Sequence, residues 1–162
     1  MAQSLITNST GGKILNVTSR LINQAASASI SSGGTWTPVI PDSANDYFGI
    51  VVSPLSATSK ILFTGFVMAA CADAGQVHME LMKDDSPITD ANAKSAGSKR
   101  ASHSGGTTTN SAGCFAIPIN YLYSPASTTP FSLHIRLSHE SGSTRTINLN
   151  RSGGDTDNAK YG

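Results

Sequence analysis

Charge is scarce in this chain. Of 162 residues only 13% are charged, and the formal net charge is +1. The chain therefore lacks the electrostatic footprint of a nucleic-acid binder, whose affinity depends on clustered Lys and Arg, and no basic-groove function is expected. Aromatic residues reach only 6%, which makes an extended stacking platform hard to build. Cysteine is limited to Cys71 and Cys114. Each lies in an apolar stretch, 66–72 and 113–119, and small buried thiols are the expected state, because nothing else suggests a disulfide-stapled scaffold. No apolar run approaches the ~18 residues of a membrane helix. The opening residues Met1 to Thr7 have neither a basic n-region nor an apolar h-region, so the chain is expected to be soluble and made in the cytoplasm. Helical periodicity is also lacking: no long segment places apolar residues at i, i+3, i+4 and i+7, although Asp90 to Ala101 holds enough alanine for a short helix.

What the chain does have is Ser and Thr, about a quarter of all residues, together with 15 Gly. That composition occurs in disordered linkers and in secreted or viral β proteins, and a hydrophobic content of 38% decides for a folded chain. The length fits one domain able to bury about two thirds of its unfolded surface. We read residues 1–11 as a short polar lead and 12–162 as a single domain.

Two-residue alternation is the dominant pattern. Phe131, Leu133, Ile135 and Leu137 fall on one face of a strand and Ser132, His134, Arg136 and Ser138 on the other, one face buried and one meeting water or a partner. Ser141-Gly-Ser143 then leads to a second alternating stretch over 144–150. Upstream, strands are expected over 13–22, 47–52, 60–70, 76–83 and 113–123, with 60–70 long enough to be central and 76–83 half exposed. A strand over 35–40 is confined to an edge or bulge by Pro38, which cannot donate to a ladder, and Pro118 does the same for 113–123. Trp36 is expected in the core. Residues 24–34, small and polar with a double glycine, read as a turn or irregular crossing. Residues 89–111 form a long surface excursion with room for short strands at its ends, and excursions of that length usually have a function. The whole is all-β: an antiparallel β-sandwich or jelly roll of about eight or more strands.

Candidate chemistry is thin. His134 and His139 are the one close histidine pair, but they face opposite sides of a strand and no Cys, Asp or Glu completes a tetrahedral set. Asp155 and Asp157 with Asn158 could gather oxygens for calcium, yet the Glu that closes an EF-hand loop is missing. Asp84, Asp85 and Asp90 lie around Pro87 in a solvated turn, with no buried setting to raise a carboxyl pKa for glycoside hydrolysis. There is no Gly-x-Ser-x-Gly, and no Gly-Gly pair is followed by the Lys-Ser/Thr of a phosphate loop. No enzyme activity and no cofactor are expected. The one basic cluster, Lys94, Lys99, Arg100 and His103, belongs to the 89–111 excursion and is the candidate contact with a partner subunit or a surface glycan.

Three pieces occur in one order: Ser59-Lys-Ile-Leu after a Ser-Pro-Leu-Ser-Ala-Thr loop; Leu122-Tyr-Ser-Pro-Ala-Ser-Thr-Thr-Pro-Phe-Ser-Leu-His-Ile-Arg136; and Leu149-Asn-Arg-Ser-Gly-Gly-Asp-Thr-Asp-Asn-Ala159. Together they resemble a β domain of virion structural proteins of tailed bacteriophages, especially those of marine and cyanobacterial hosts, found in tail fibres and other appendages. The resemblance runs from about Gly12 to the end. It implies a β-sandwich on the particle surface, a homotrimer with other virion proteins as neighbours, and no catalytic residues. Two departures stand out: relatives continue past Asp-Asn-Ala into one more apolar strand, and the residues before Gly12 are few for a stalk.

The function expected on these grounds is a non-enzymatic trimeric short fibre or appendage tip, made in the host cytoplasm and placed on the virion surface, with contact to host polysaccharide through 89–111. Neither nucleic acid nor membrane insertion is expected. A capsid decoration protein on the major capsid lattice is one alternative. A carbohydrate-binding module using Trp36, Tyr47, Tyr121 and Tyr123 is another.

Overall fold

A computed structural model describes residues 16–23, 25–31, 37–38, 49–73, 75–92, 102–110 and 113–152. Among them there is no helix, and ten strand segments account for the regular structure: β1 (Ala26–Ile30), β2 (Thr37–Pro38), β3 (Gly49–Val52), β4 (Ile61–Cys71), β5 (Gly75–Lys83), β6 (Ser86–Pro87), β7 (Ser104–Thr108), β8 (Phe115–Tyr123), β9 (Phe131–His139) and β10 (Arg145–Leu149). They make two antiparallel sheets. The first has the order β1-β10-β4-β8. In the second, β9 and β5 pair along their lengths, from Val77↔His139 to Lys83↔Leu133. Each outer edge of that central pair is filled by two short strands in tandem. β3 and β2 run along β9, and β7 and β6 run along β5.

The two sheets bury their facing sides against each other. Alternate residues supply that side: Val67, Ala69 and Cys71 of β4, Ile117 and Ile119 of β8, Ile147 and Leu149 of β10, and Ile30 of β1. Facing them are Val77, Met79 and Leu81 of β5 with Phe131, Leu133, Ile135 and Leu137 of β9. A β-sandwich with a single core is the result. His139 also points inward. Its ring donates from Nε2 to Ile30 O at 2.9 Å and accepts the Ser141 amide at Nδ1 at 3.1 Å, so a polar ring lies in the core with both nitrogens used.

Local chemistry explains the connections. Between β5 and β6 a two-residue turn, Asp84-Asp85, places Asp84 at φ 49°. Asp84 is locked across to β9, its amide donating to Ser132 O and its carboxylate accepting the Ser132 amide, both at 2.9 Å. The Ser-Pro-Leu-Ser-Ala-Thr-Ser loop closes on its own hydroxyls, with the Thr58 amide donating to Ser56 Oγ and the Ser56 amide to Ser59 Oγ, each at 3.2 Å. β7 and β6 leave a gap along β5 at Leu81, and the side chain of Asn92 fills it. Asn92 Oδ1 accepts the Leu81 amide at 2.9 Å, and Nδ2 donates to Leu81 O and Ile88 O. A buried amide side chain there stands in for a missing strand.

Several expectations are corrected by this arrangement. Residues 16–22, the described part of the expected first strand, form no strand, and Leu21 is 89% exposed. Apolar residues on both faces define no buried side. The small polar run after it, expected as an irregular crossing, contains β1, in which Ala26, Ala28 and Ile30 alternate with Ser27 and Ser29 and pair in register with β10. β5 is not half exposed: Glu80 and Met82, on its outer side, are buried. The polar side of β9 does not meet water freely either, because His134 and Ser138 are buried. Both strands lie at the centre of the second sheet. Cys71 is buried as expected, whereas Cys114 is exposed, because it sits just before β8 begins. β4 is central, β2 and β8 lie at sheet edges, and β7 lies within the 89–111 excursion. Trp36 and the Asp155 to Asn158 segment lie outside the described residues.

Candidate functional site

Two surface features emerge from the fold. The first is the outer side of the β4–β8 pair. Antiparallel register sets Leu62 opposite Leu122, Thr64 opposite Asn120, Phe66 opposite Pro118 and Met68 opposite Ala116. Side chains of this parity point away from the core, and Leu62, Phe66 and Leu122 are 61%, 67% and 56% exposed. None of these eight residues carries a charge. The other half of the same sheet face is polar: Ser27, Ser29 and Thr146, with buried Asn148 accepting from Ser27 Oγ at 2.7 Å and from Arg151 Nε at 3.3 Å. The apolar stripe therefore ends where β10 begins.

The second is a cleft of ≈ 350 Å³ where the inner side of β8 meets the β5–β6 hairpin. Tyr121 and Tyr123 form one wall, and Lys83 and the segment from Ser86 to Asp90 form the other. The rings belong to an aromatic chain: His103 edge-on to Tyr121, Tyr121 tilted by 33° to Tyr123 at 6.3 Å, and Tyr123 edge-on to Phe131 at 5.7 Å. Lys83 Nζ caps the far end, 5.4 Å from the Phe131 ring centre. Burial, with the Asp90 carboxylate and Tyr123 beside it, pushes the Tyr121 phenol above its ordinary pKa.

Of the four residues singled out as a contact cluster, Lys94, Lys99 and Arg100 lie outside the described residues. His103 is half-buried and structural: its ring donates from Nδ1 to Ala91 O at 2.9 Å and accepts the Asn120 amide at Nε2. It joins the end of the hairpin segment to β8 and braces Tyr121. The pairing of Tyr121 with Tyr123 follows from their i, i+2 spacing, but Lys83 and Asp90 were not recognisable as their neighbours, since a hairpin brings them there. His134 and His139 project to opposite sides of β9, as their spacing requires. Among the described residues no group of three His, Cys, Asp or Glu side chains is placed to hold a metal ion, and no helix is long and apolar enough to cross a membrane.

The geometry defines a β-sandwich with an uncharged apolar stripe on one face and a tyrosine-lined cleft at one end. No protein-family model matches the sequence, and no match to a curated protein was found.

Proposed function

We propose that this chain is a non-enzymatic structural protein of a phage particle, three copies of which pack through the apolar stripe of β4 and β8 into a short fibre or appendage tip. The observation that carries this reading is the in-register exposure of Leu62, Phe66 and Leu122 in a stripe of eight paired residues without charge. Scattered exposed apolar residues need no explanation, but a contiguous uncharged patch is the usual mark of an interface. Copies of this chain suit it as occupants. A neutral stripe packs on another neutral stripe without desolvating charge, and a net charge of +1 per chain sets up little repulsion between copies. Closed rotational symmetry would satisfy every stripe in the ring.

The virion setting rests on the sequence resemblance described above. Immunogold labelling of intact particles tests it together with copy number. A few dozen copies or fewer at the tail or a vertex is the expected result. Hundreds spread over the capsid would mean a decoration protein, and none on the particle would remove the virion reading. The 89–111 excursion is the proposed side for contact with host surface polysaccharide. Incubating the protein with purified envelope polysaccharide should release no oligosaccharide, and release would overturn the non-enzymatic assignment.

A further inference from the structure

The cleft between β8 and the β5–β6 hairpin borders the stripe at Leu122, but its tyrosines and its hairpin residues lie outside the stripe, and they are organised in advance. Tyr121 and Tyr123 are alternate residues of one strand, so their rings lie side by side on the same face. A 33° tilt at 6.3 Å makes them one broad apolar surface instead of an edge-to-face pair. Both are held from the side. His103 packs at 78° to Tyr121 with its own ring fixed by Ala91 O and the Asn120 amide, and Phe131 packs at 81° to Tyr123. Asp90, whose carboxylate acts on Tyr121, lines the cleft with Lys83 and Thr89.

Ligand clefts of about 300–1,000 Å³ typically combine apolar walls with a few placed polar groups. At ≈ 350 Å³ this one is at the small end of that range. An aromatic wall facing hydroxyl-binding groups of both signs fits a molecule with one C–H face and a rim of hydroxyls. Asp90 disfavours an anionic ligand. Lys83, drawn over the Phe131 ring, is only partly available to offset that carboxylate.

We propose that the cleft binds a single neutral pyranose ring of a surface glycan, its C–H face against Tyr121 and its hydroxyls donating to Asp90. This deepens the polysaccharide contact proposed above and rests on that reading for its setting, while the cleft itself lies within one chain. Saturation-transfer NMR on the purified full chain, with the methyl glycosides of glucose, galactose and mannose and with glucuronate as the acidic control, tests it. At least one neutral glycoside should bind saturably at millimolar concentration, and glucuronate should bind more weakly. Asp90→Ala and Tyr121→Ala should each weaken binding about tenfold or more, equivalent to ~1.4 kcal/mol, and Tyr121→Phe should retain most of it. Asp90 is exposed, so an unchanged melting temperature for Asp90→Ala separates lost binding from lost folding. Absence of saturable binding by all three neutral glycosides, equal binding by Asp90→Ala, or tighter binding of glucuronate would overturn the proposal. Because the assay uses soluble sugars and isolated protein, such a result would leave the particle role, read by labelling, standing.

Discussion

Glu80 and Arg136 face each other directly across β5 and β9, joined by a 2.8 Å ion pair in which the carboxylate is almost wholly buried. The pair lies on the outer side of the second sheet, which alternation alone would leave to water. Removing one partner strands a buried charge, at a typical cost of ~3–5 kcal/mol. Arg136→Met should therefore lower unfolding stability in urea by about that much. The double variant Glu80→Leu/Arg136→Met should recover most of the loss, because it removes both charges together.

Asn92 acts as a substitute for strand backbone at Leu81. Asn92→Ala would leave the Leu81 amide without an acceptor inside the fold, a loss of ~1–3 kcal/mol. Asn92→Asp should be at least as damaging, since it presents a carboxylate to the carbonyl oxygens of Leu81 and Ile88 that Nδ2 now serves. Chemical denaturation of both variants measures the difference.

Adjacent glycines of β7 should respond differently to the same substitution. A Cβ on Gly105 would lie 2.6 Å from the Val77 carbonyl oxygen, which is backbone of the neighbouring strand, whereas a Cβ on Gly106 would meet the ring of Phe115 at 2.2 Å. A ring can turn aside at the cost of some packing; a paired backbone cannot. Gly105→Ala is expected to cost ~1–3 kcal/mol as an overpacking change, and to exceed Gly106→Ala in a melting comparison.

His134 sets a pH dependence of stability. Burial lowers its pKa below the ordinary 6.5, the Arg136 guanidinium adds to the lowering, and Asp85 and Asp84 oppose it. A depressed histidine binds its proton more readily in the unfolded chain. Its contribution is complete above pH 6.5 and declines as the pH falls from 6.5 through the lowered folded value. Denaturation midpoints should drop over that window, and His134→Gln should flatten the drop, which a pH series on both proteins would reveal.

The sandwich could be read from residues because its central strands announce themselves. Phe131 to Leu137, Ile61 to Cys71 and Val77 to Leu81 carry large side chains at period two, and two faces of that kind must close on each other. β1 is not legible in the sequence because Ala and Ser have little preference for strands; its place comes from pairing with β10. Burial of the outer side of β9 was equally hidden, since alternation shows that a strand has two faces and not what covers the second. The apolar stripe is visible in sequence only once the register is known, because Leu62 and Leu122 are distant in the chain and opposite in the sheet. The same holds for Asp90 and Lys83 beside Tyr121. His103 was legible as a polar residue of a long excursion, but its two ring contacts depend on where the hairpin and β8 come together.

Assembly through the β4–β8 stripe is tested most directly by the solution mass of the purified chain. Multi-angle light scattering at micromolar concentration should return three times the 16.7 kDa of one chain. The double variant Phe66→Ser/Leu122→Ser should fall to a single chain with unchanged far-ultraviolet circular dichroism, because both side chains are exposed within the protomer. A monomeric mass for the unaltered chain, or a trimer that survives those two substitutions, would contradict the account.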